Sequence, residues 1–356
     1  MRLAIIGASG AIGRAVADAF HADGAKLRVV GRRKSPLTPV SKPGDELVMA
    51  DVSTLQGCRI ALEGADAAVY TLGLPYTTEA FAAYPPMMQA FVTAAREKGL
   101  KRILLISNVY PYGLPQTPRV AESHPRDPVM AKGELRKAQE DILLQAISPE
   151  METISLRLPD FYGPGVESSL LTMAAKAAAT GSTATLLGPA DTPHEFVFTP
   201  DVGPVVKALL EHPAPVAGAY NLAGAGAITQ RALAELMFKA AGHPPRLRVL
   251  PPWQQKVTKR GRFRQTCDRS QRRIRWLLTL LPSGANWKSS STTPGWSRAR
   301  GSAISTMTPC SPRGTRCWPS ISPAPWPAAA LRLPFQNGFD LDHWIANFIS
   351  YSSSAA

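Results

Sequence analysis

The chain has 356 residues, is 45% hydrophobic and carries a formal net charge of +14. It is long enough for one large domain or two smaller ones, and no apolar run reaches the roughly 18–20 residues of a membrane span. A charge of +14 ordinarily points to nucleic acid, but all of the excess lies in one late segment, so nucleic acid is not expected as the partner.

The opening "MRLAIIGASG" has one positive charge and a short apolar run that leads straight into a glycine-rich turn. That is not a secretory signal, and a cytoplasmic location is expected. "LAIIG" (3–7) predicts a strand, followed by a helix from Ala11 to about Ala22. Further strands are predicted at 27–31, 46–50, 67–72, 102–107 and 153–158, with helices at 85–99 and 131–147 between them. Such alternation predicts an α/β fold, a parallel sheet wound on both faces by crossover helices. From about Gly163 the pattern loosens. "EFVFTPD" (195–201) and "AYNLAG" (219–224) read as short strands, and 229–242 as a helix with Thr229 as its N-cap and Gly242 as its stop. This predicts a dinucleotide-binding domain over 1–165 and, over 166–254, elements of a smaller substrate lobe interleaved with it.

Residues 255–334 differ in kind. They hold fifteen Lys/Arg and one acid, Asp268, against twenty-five of each sign elsewhere. They also hold five of the seven tryptophans and three of the four cysteines, with neither a strand nor a helix period. Disordered tails are usually poor in Trp and Cys. The mix matches GC-rich coding DNA read out of frame, and a frameshift that replaced the native segment is expected. A basic nucleic-acid-binding tail is the rival reading. Residues 335–356 are expected to form a C-terminal tail. Cys58, Cys267, Cys310 and Cys317 form no CxxC pair, so no zinc site or disulfide framework is expected.

"GASGAIG" places Gly7, Gly10 and Gly13 between the first strand and the first helix. Gly7 lets the strand turn, Gly10 leaves room for a pyrophosphate, and Gly13 lets the helix pack close to the sheet. Free N–H groups at the helix start favour a bound phosphate, so Ser9, Ala11 and Ile12 join the three glycines as cofactor-binding residues. The second strand ends in "GRRK": Arg32 and Arg33 stand where an acid would hold a ribose 2′-hydroxyl. Guanidinium groups match a phosphate, which predicts NADP over NAD. A merely solvated basic loop is the alternative.

These motifs, with "ADV" (50–52), "RLPDFYGPG" (157–165), "HEFVFTPDVG" (194–203) and "YNLAG" (220–224), resemble the extended short-chain dehydrogenase/reductases, the NAD-dependent epimerase/dehydratase group, over about residues 1–250. The resemblance implies a Rossmann-type doubly wound sheet with a smaller C-terminal substrate lobe. It implies that Asp51 bonds the adenine, with Val52 beside the ring, that Leu72 and Gly73 line the ribose, and that Pro159 and Phe161 sit near the nicotinamide. It also implies a small-molecule substrate and a homodimer through the helices at 86–98 and 131–147.

The chemistry of the resembled family rests on a Tyr-x-x-x-Lys pair with a nearby Ser or Thr. Lys132 falls at the lysine position, but Pro128 occupies that of the tyrosine, and Ser107 and Asn108 occupy the serine turn. Proline transfers no proton. Tyr110, Tyr112 and Tyr162 are substitutes, with Tyr110 preferred, and each has a packed aromatic as its alternative. Lys132 either contacts the ribose or belongs to a charged ladder with Arg136 and Glu140 on an exposed helix face. His194 and Glu195 read as structural or substrate-facing. The expected activity is NADP-dependent hydride transfer, as oxidoreductase or epimerase, on a carbonyl, alcohol or sugar-type carbon. The alternative is a catalytically silent NADP(H)-binding sensor.

Overall fold

The computed structural model describes residues 1–166, 169–187, 189–224 and 226–250. In chain order the elements are β1 (Leu3–Ile6), α1 (Ala11–His21), β2 (Leu27–Gly31), β3 (Glu46–Met49), α2 (Leu55–Ala61), β4 (Ala67–Tyr70), α3 (Thr78–Phe81), α4 (Tyr84–Glu97) and β5 (Arg102–Asn108). A 3₁₀ turn at Tyr110–Tyr112 leads on to α5 (Ala131–Leu144), β6 (Glu152–Leu158), β7 (Asp160–Tyr162), α6 (Leu170–Thr180) and β8 (Ala184–Leu187). The last are β9 (Pro193–Phe198), α7 (Thr199–Glu211), β10 (Gly218–Asn221), β11 (Ala227–Thr229), α8 (Gln230–Ala240) and β12 (Leu247–Leu250).

Seven strands form one parallel sheet in the order β3-β2-β1-β4-β5-β6-β10. The strand order reverses between β1 and β4, which is the switch point where ligands bind in open sheets of this Rossmann type. β1 explains the continuous apolar runs. Leu3 and Ile5 belong to one core, and Ala4 and Ile6 to the core on the opposite face. The first core is closed by Ile12, Val16 and Phe20 of α1 with Val202, Val206 and Leu209 of α7. Burying each of these large side chains contributes about 1.5–3 kcal/mol. α1 and α7 lie so close that a Cβ on Gly203 would fall 2.2 Å from the Ala15 carbonyl oxygen. The second core packs Cys58 of α2, Met88 and Phe91 of α4 and Leu143 of α5 on the other face.

A smaller lobe has its own core, where α6 and α8 pack through Ala174, Leu233 and Phe238 on Leu186 of β8 and Phe196 of β9. Its strands pair as β11-β9-β7 and as β12-β8. Thr229 caps α8, accepting a hydrogen bond from the Ala232 amide, and Gly242 lies just beyond that helix with a φ of 73°.

Two expectations need correction. The strand read over 195–201 ends at Phe198, and Thr199 and Pro200 open α7 instead. Proline is pre-organised for a first helical turn. The exposed ladder of Lys132, Arg136 and Glu140 does not form: Arg136 is 5% exposed and Glu140 is fully buried. The helical spacing of Leu135, Ala138, Ile142 and Leu143 predicts a packing face; Leu143 is fully buried in the second core, and the other three are partly covered. A polar inner face is tolerated because Arg157 and Arg126 pair with Glu140, at 2.7 and 2.9 Å. The reading of 255–334, like that of 335–356, lies outside the described residues.

Candidate active site

The N-terminus of α1 sits at the C-terminal edge of the sheet, beside the switch point. Gly7 adopts φ 81°, and a Cβ there would lie 3.1 Å from Thr71 Oγ1 and 3.3 Å from the Leu72 backbone. Thr71 Oγ1 donates to the Ile6 carbonyl at 2.8 Å, tying the end of β4 to that of β1. Gly13 has no room for a side chain, since a Cβ would fall 2.5 Å from Gly7 O and 2.7 Å from Ala8 Cα. Gly10 is the N-cap of α1 and offers no side-chain cap to its first-turn amides. A Cβ on Gly10 would meet only Gly7 O, at 3.4 Å, so the space in front of the helix is open. Ser9 is held from behind, its carbonyl accepting from Arg14 Nε at 3.0 Å. Ala11 is half-buried and Ile12 is packed into the core. Uncapped amides at a positive helix end are suited to a pyrophosphate.

Arg32 and Arg33 follow β2 on an exposed turn. Hydrogen bonds from the Ser53 hydroxyl and amide hold the Asp51 carboxyl below its usual range, and the Arg32 charge adds to them. Val52 is 5% exposed beside it. A Cβ on Gly73 would touch nothing within 4 Å. Leu72 is half-buried against the second core. Along this edge the donors run from helix amides to guanidinium groups, a set that could hold a dinucleotide from its pyrophosphate to its adenosine end.

The third part of the edge lies at the ends of β4, β5 and β6. Ser107 is 3% exposed, and its hydroxyl has no hydrogen-bond partner among the described residues. Asn108 Oδ1 accepts from the Tyr110 amide at 3.2 Å, which fixes the turn. Burial first, then the neighbouring Tyr76 and the charge of Asp160, push the Tyr110 phenol well above its usual range; Arg136 opposes them. The Tyr76 and Tyr110 rings meet edge-on at 6.3 Å. Lys132 reaches the same pair. Its Nζ lies 3.5 Å from the Tyr76 ring centroid and donates to the Tyr76 carbonyl at 3.2 Å. Pro128 is wedged below: a Cβ on Gly133 would meet Pro128 Cβ at 2.8 Å and Tyr110 O at 2.9 Å.

The other tyrosines are packed. Tyr112 donates to Asn221 Oδ1 at 2.7 Å and accepts from Arg157. Tyr162 is 5% exposed against Phe198, and burial pushes its phenol up. Pro159 and Phe161 are half-buried on either side of Asp160. His194 Nε2 lies 3.1 Å from Asp160 Oδ2, off the angle of a good hydrogen bond. The structure therefore gathers Tyr110 and Lys132 around Tyr76, a residue the sequence reading passed over. It also places Arg136 one turn along α5, buried, donating to the Ile106 carbonyl at 3.1 Å with its guanidinium 4.5 Å from the Tyr84 ring. The available signal for Tyr76 was its place after β4, on the edge that carries Gly7.

The model of the NAD dependent epimerase/dehydratase family matches residues 3–223. The chain belongs to this family. A curated relative, the dTDP-6-deoxy-L-talose 4-dehydrogenase (NAD(P)(+)) of Kitasatospora kifunensis, is 29% identical over 267 residues, 70% of this chain and 82% of the relative. The UDP-glucose 4-epimerase of Thermus thermophilus, solved in complex with NAD, superposes with a TM-score of 0.63 at 20% identity, covering 71% of this chain and 87% of that one. A dTDP-glucose 4,6-dehydratase of Streptomyces venezuelae with NAD bound gives a TM-score of 0.63 at 19% identity, over 70% and 84% of the two chains. This epimerase/dehydratase-family chain thus keeps the glycine turn but has Pro128 four residues before Lys132. No helix among the described residues is long and apolar enough to cross a membrane.

Proposed function

We propose that the chain is an NADP-dependent oxidoreductase or epimerase acting by hydride transfer on a carbonyl or alcohol of a sugar-type small molecule. The observation that carries this reading is the uncapped start of α1 behind Gly7 and Gly10, open where a side chain would block it. Gly7, Ser9, Gly10, Ala11, Ile12 and Gly13 would hold the pyrophosphate. Arg32 and Arg33 would hold the 2′-phosphate, Asp51 and Val52 the adenine, and Leu72 and Gly73 the ribose. Lys132 has three N–H donors, so it can keep its bond to Tyr76 and still reach a ribose hydroxyl. Pro159 and Phe161 would face the nicotinamide. A bound nicotinamide would supply the hydride donor and acceptor. Proton chemistry would fall to the edge that carries Ser107, Tyr110 and Lys132. The relative's dTDP-sugar activity supports a nucleotide-sugar substrate. A homodimer through α4 and α5 and a cytoplasmic location complete the proposal.

Two measurements test it. NADPH should bind more tightly than NADH, and Arg32→Ala should weaken NADPH by roughly 10–100-fold while sparing NADH, as for the loss of a charge-assisted hydrogen bond. Tighter NADH binding would overturn the cofactor assignment. NADPH oxidation over a panel of nucleotide-sugar and simpler ketones should reveal turnover. Pro128 at the tyrosine position and the raised Tyr110 phenol favour a second reading, a cofactor-binding sensor without turnover. Tight NADPH binding with no oxidation across the panel would select it.

A further inference from the structure

We propose that Tyr76 is the residue that hands a proton to the substrate oxygen in the hydride-transfer reaction above, with Lys132 and Tyr110 as its positioning residues; the assignment rests on that reaction. Tyr76 lies on the connection between β4 and α3, at the same strand ends as the α1 cradle. It is 51% exposed, whereas Tyr110 is half-buried. Three contacts fix it. Lys132 Nζ stands 3.5 Å over its ring and bonds its carbonyl at 3.2 Å. Phe81 meets the ring edge-on at 5.6 Å. Tyr110 meets the ring edge-on at 6.3 Å. A tyrosine and the α5 lysine are thus together again, although the tyrosine comes from a different element and Pro128 contributes none.

The chemistry needs a hydroxyl that reaches substrate and a cation beside it. In the reducing direction the Tyr76 O–H bond breaks and an O–H bond forms on the substrate oxygen. The phenolate left on Tyr76 faces the Lys132 ammonium, whose Nζ stands 3.5 Å from the ring centroid. Tyr76 then regains its proton from water, which its exposed ring admits. In the oxidising direction the same atoms move the proton back. Tyr110 is poorly suited to act directly. Burial, then Tyr76 and the charge of Asp160, hold its proton in place, which leaves it as an edge-on packing partner for Tyr76.

The test compares Tyr76→Phe and Tyr110→Phe in the full-length chain. Phenylalanine keeps the ring under Lys132, so folding and the NADPH affinity, read by nucleotide fluorescence, should stay as in the wild type. The kcat of Tyr76→Phe should fall about a hundredfold or more, the size of a lost general acid. Tyr110→Phe should lose less. Independently of turnover, the Lys132 ε-methylene signal in lysine-selective ¹³C NMR should be displaced by the Tyr76 ring current and return toward the other lysines in Tyr76→Leu. A wild-type kcat in Tyr76→Phe, or a loss confined to Tyr110→Phe, would overturn the assignment while leaving the reaction intact. An undisplaced Lys132 signal would overturn its positioning role. A wild type that binds NADPH but turns over nothing would overturn the reaction and this proposal together.

Discussion

At the scale of single residues, the cradle is legible because its demands are local. Gly7, Gly10 and Gly13 answer to a sharp turn, an open approach and a close packing, all within seven consecutive residues. Gly13 gives the sharpest prediction. Its missing side chain is bounded by backbone, with Gly7 O at 2.5 Å and Ala8 Cα at 2.7 Å from where a Cβ would stand, so no flexible neighbour can yield. Gly13→Val should push α1 off the strand and spoil the aim of its amides. NADPH affinity, measured by fluorescence titration, should fall at least about tenfold, and thermal stability should fall with it. Wild-type affinity in that variant would place the cofactor elsewhere. Tyr76 was not legible in this way. Its partner Lys132 is 56 positions away, and nothing in the local pattern of either residue announces the contact.

At the scale of elements, strands and the longer helices follow their apolar periods, and failures occur where polarity misleads. In α7, Thr199, Pro200 and Asp201 read as the end of a strand, yet Val202, Val205, Val206 and Leu209 are spaced for a helix and fill the first core. In α5 the error is the reverse: charged residues face inward. Glu140 accepts from Arg157 Nε at 2.7 Å, from Arg126 at 2.9 Å and from the Ser155 hydroxyl. Arg157 in turn bonds Tyr112, which holds Asn221 of β10. Removing one partner of a buried pair leaves an uncompensated charge, at a cost of about 3–5 kcal/mol. Glu140→Ala should therefore lose about that much in urea unfolding, and Glu140→Leu with Arg157→Met should recover a large part of it. A loss below about 1 kcal/mol would mean that the pair is solvated, as at a surface.

At the scale of the whole molecule, the large sheet and the smaller lobe share a dependence on buried phenols. Tyr70 lies in the second core and Tyr162 in the third, and burial pushes both phenols above their usual range. Below about pH 10 both the folded and the unfolded chain hold these protons, and this contribution to stability is complete. Above that the unfolded chain releases protons that the folded chain keeps, so stability falls as pH rises. Thermal midpoints should decline from about pH 10 upward, and less steeply in Tyr162→Phe; identical slopes would show that this phenol ionises alike in both states. The other whole-chain feature is charge. The cradle, the Tyr76 cluster and all three cores lie within residues 3–250, while the fifteen cations and single acid of 255–334 account for the excess charge. A frame error there would leave cofactor binding to the first 250 residues. A chain ending at Leu250 should then bind NADPH as the full chain does, and an alternative frame of the gene over 255–334 should encode a periodic sequence containing acids. If neither other frame does, the segment is native. A steep salt dependence of nucleic-acid binding, lost in the shortened chain, would then assign it to that partner.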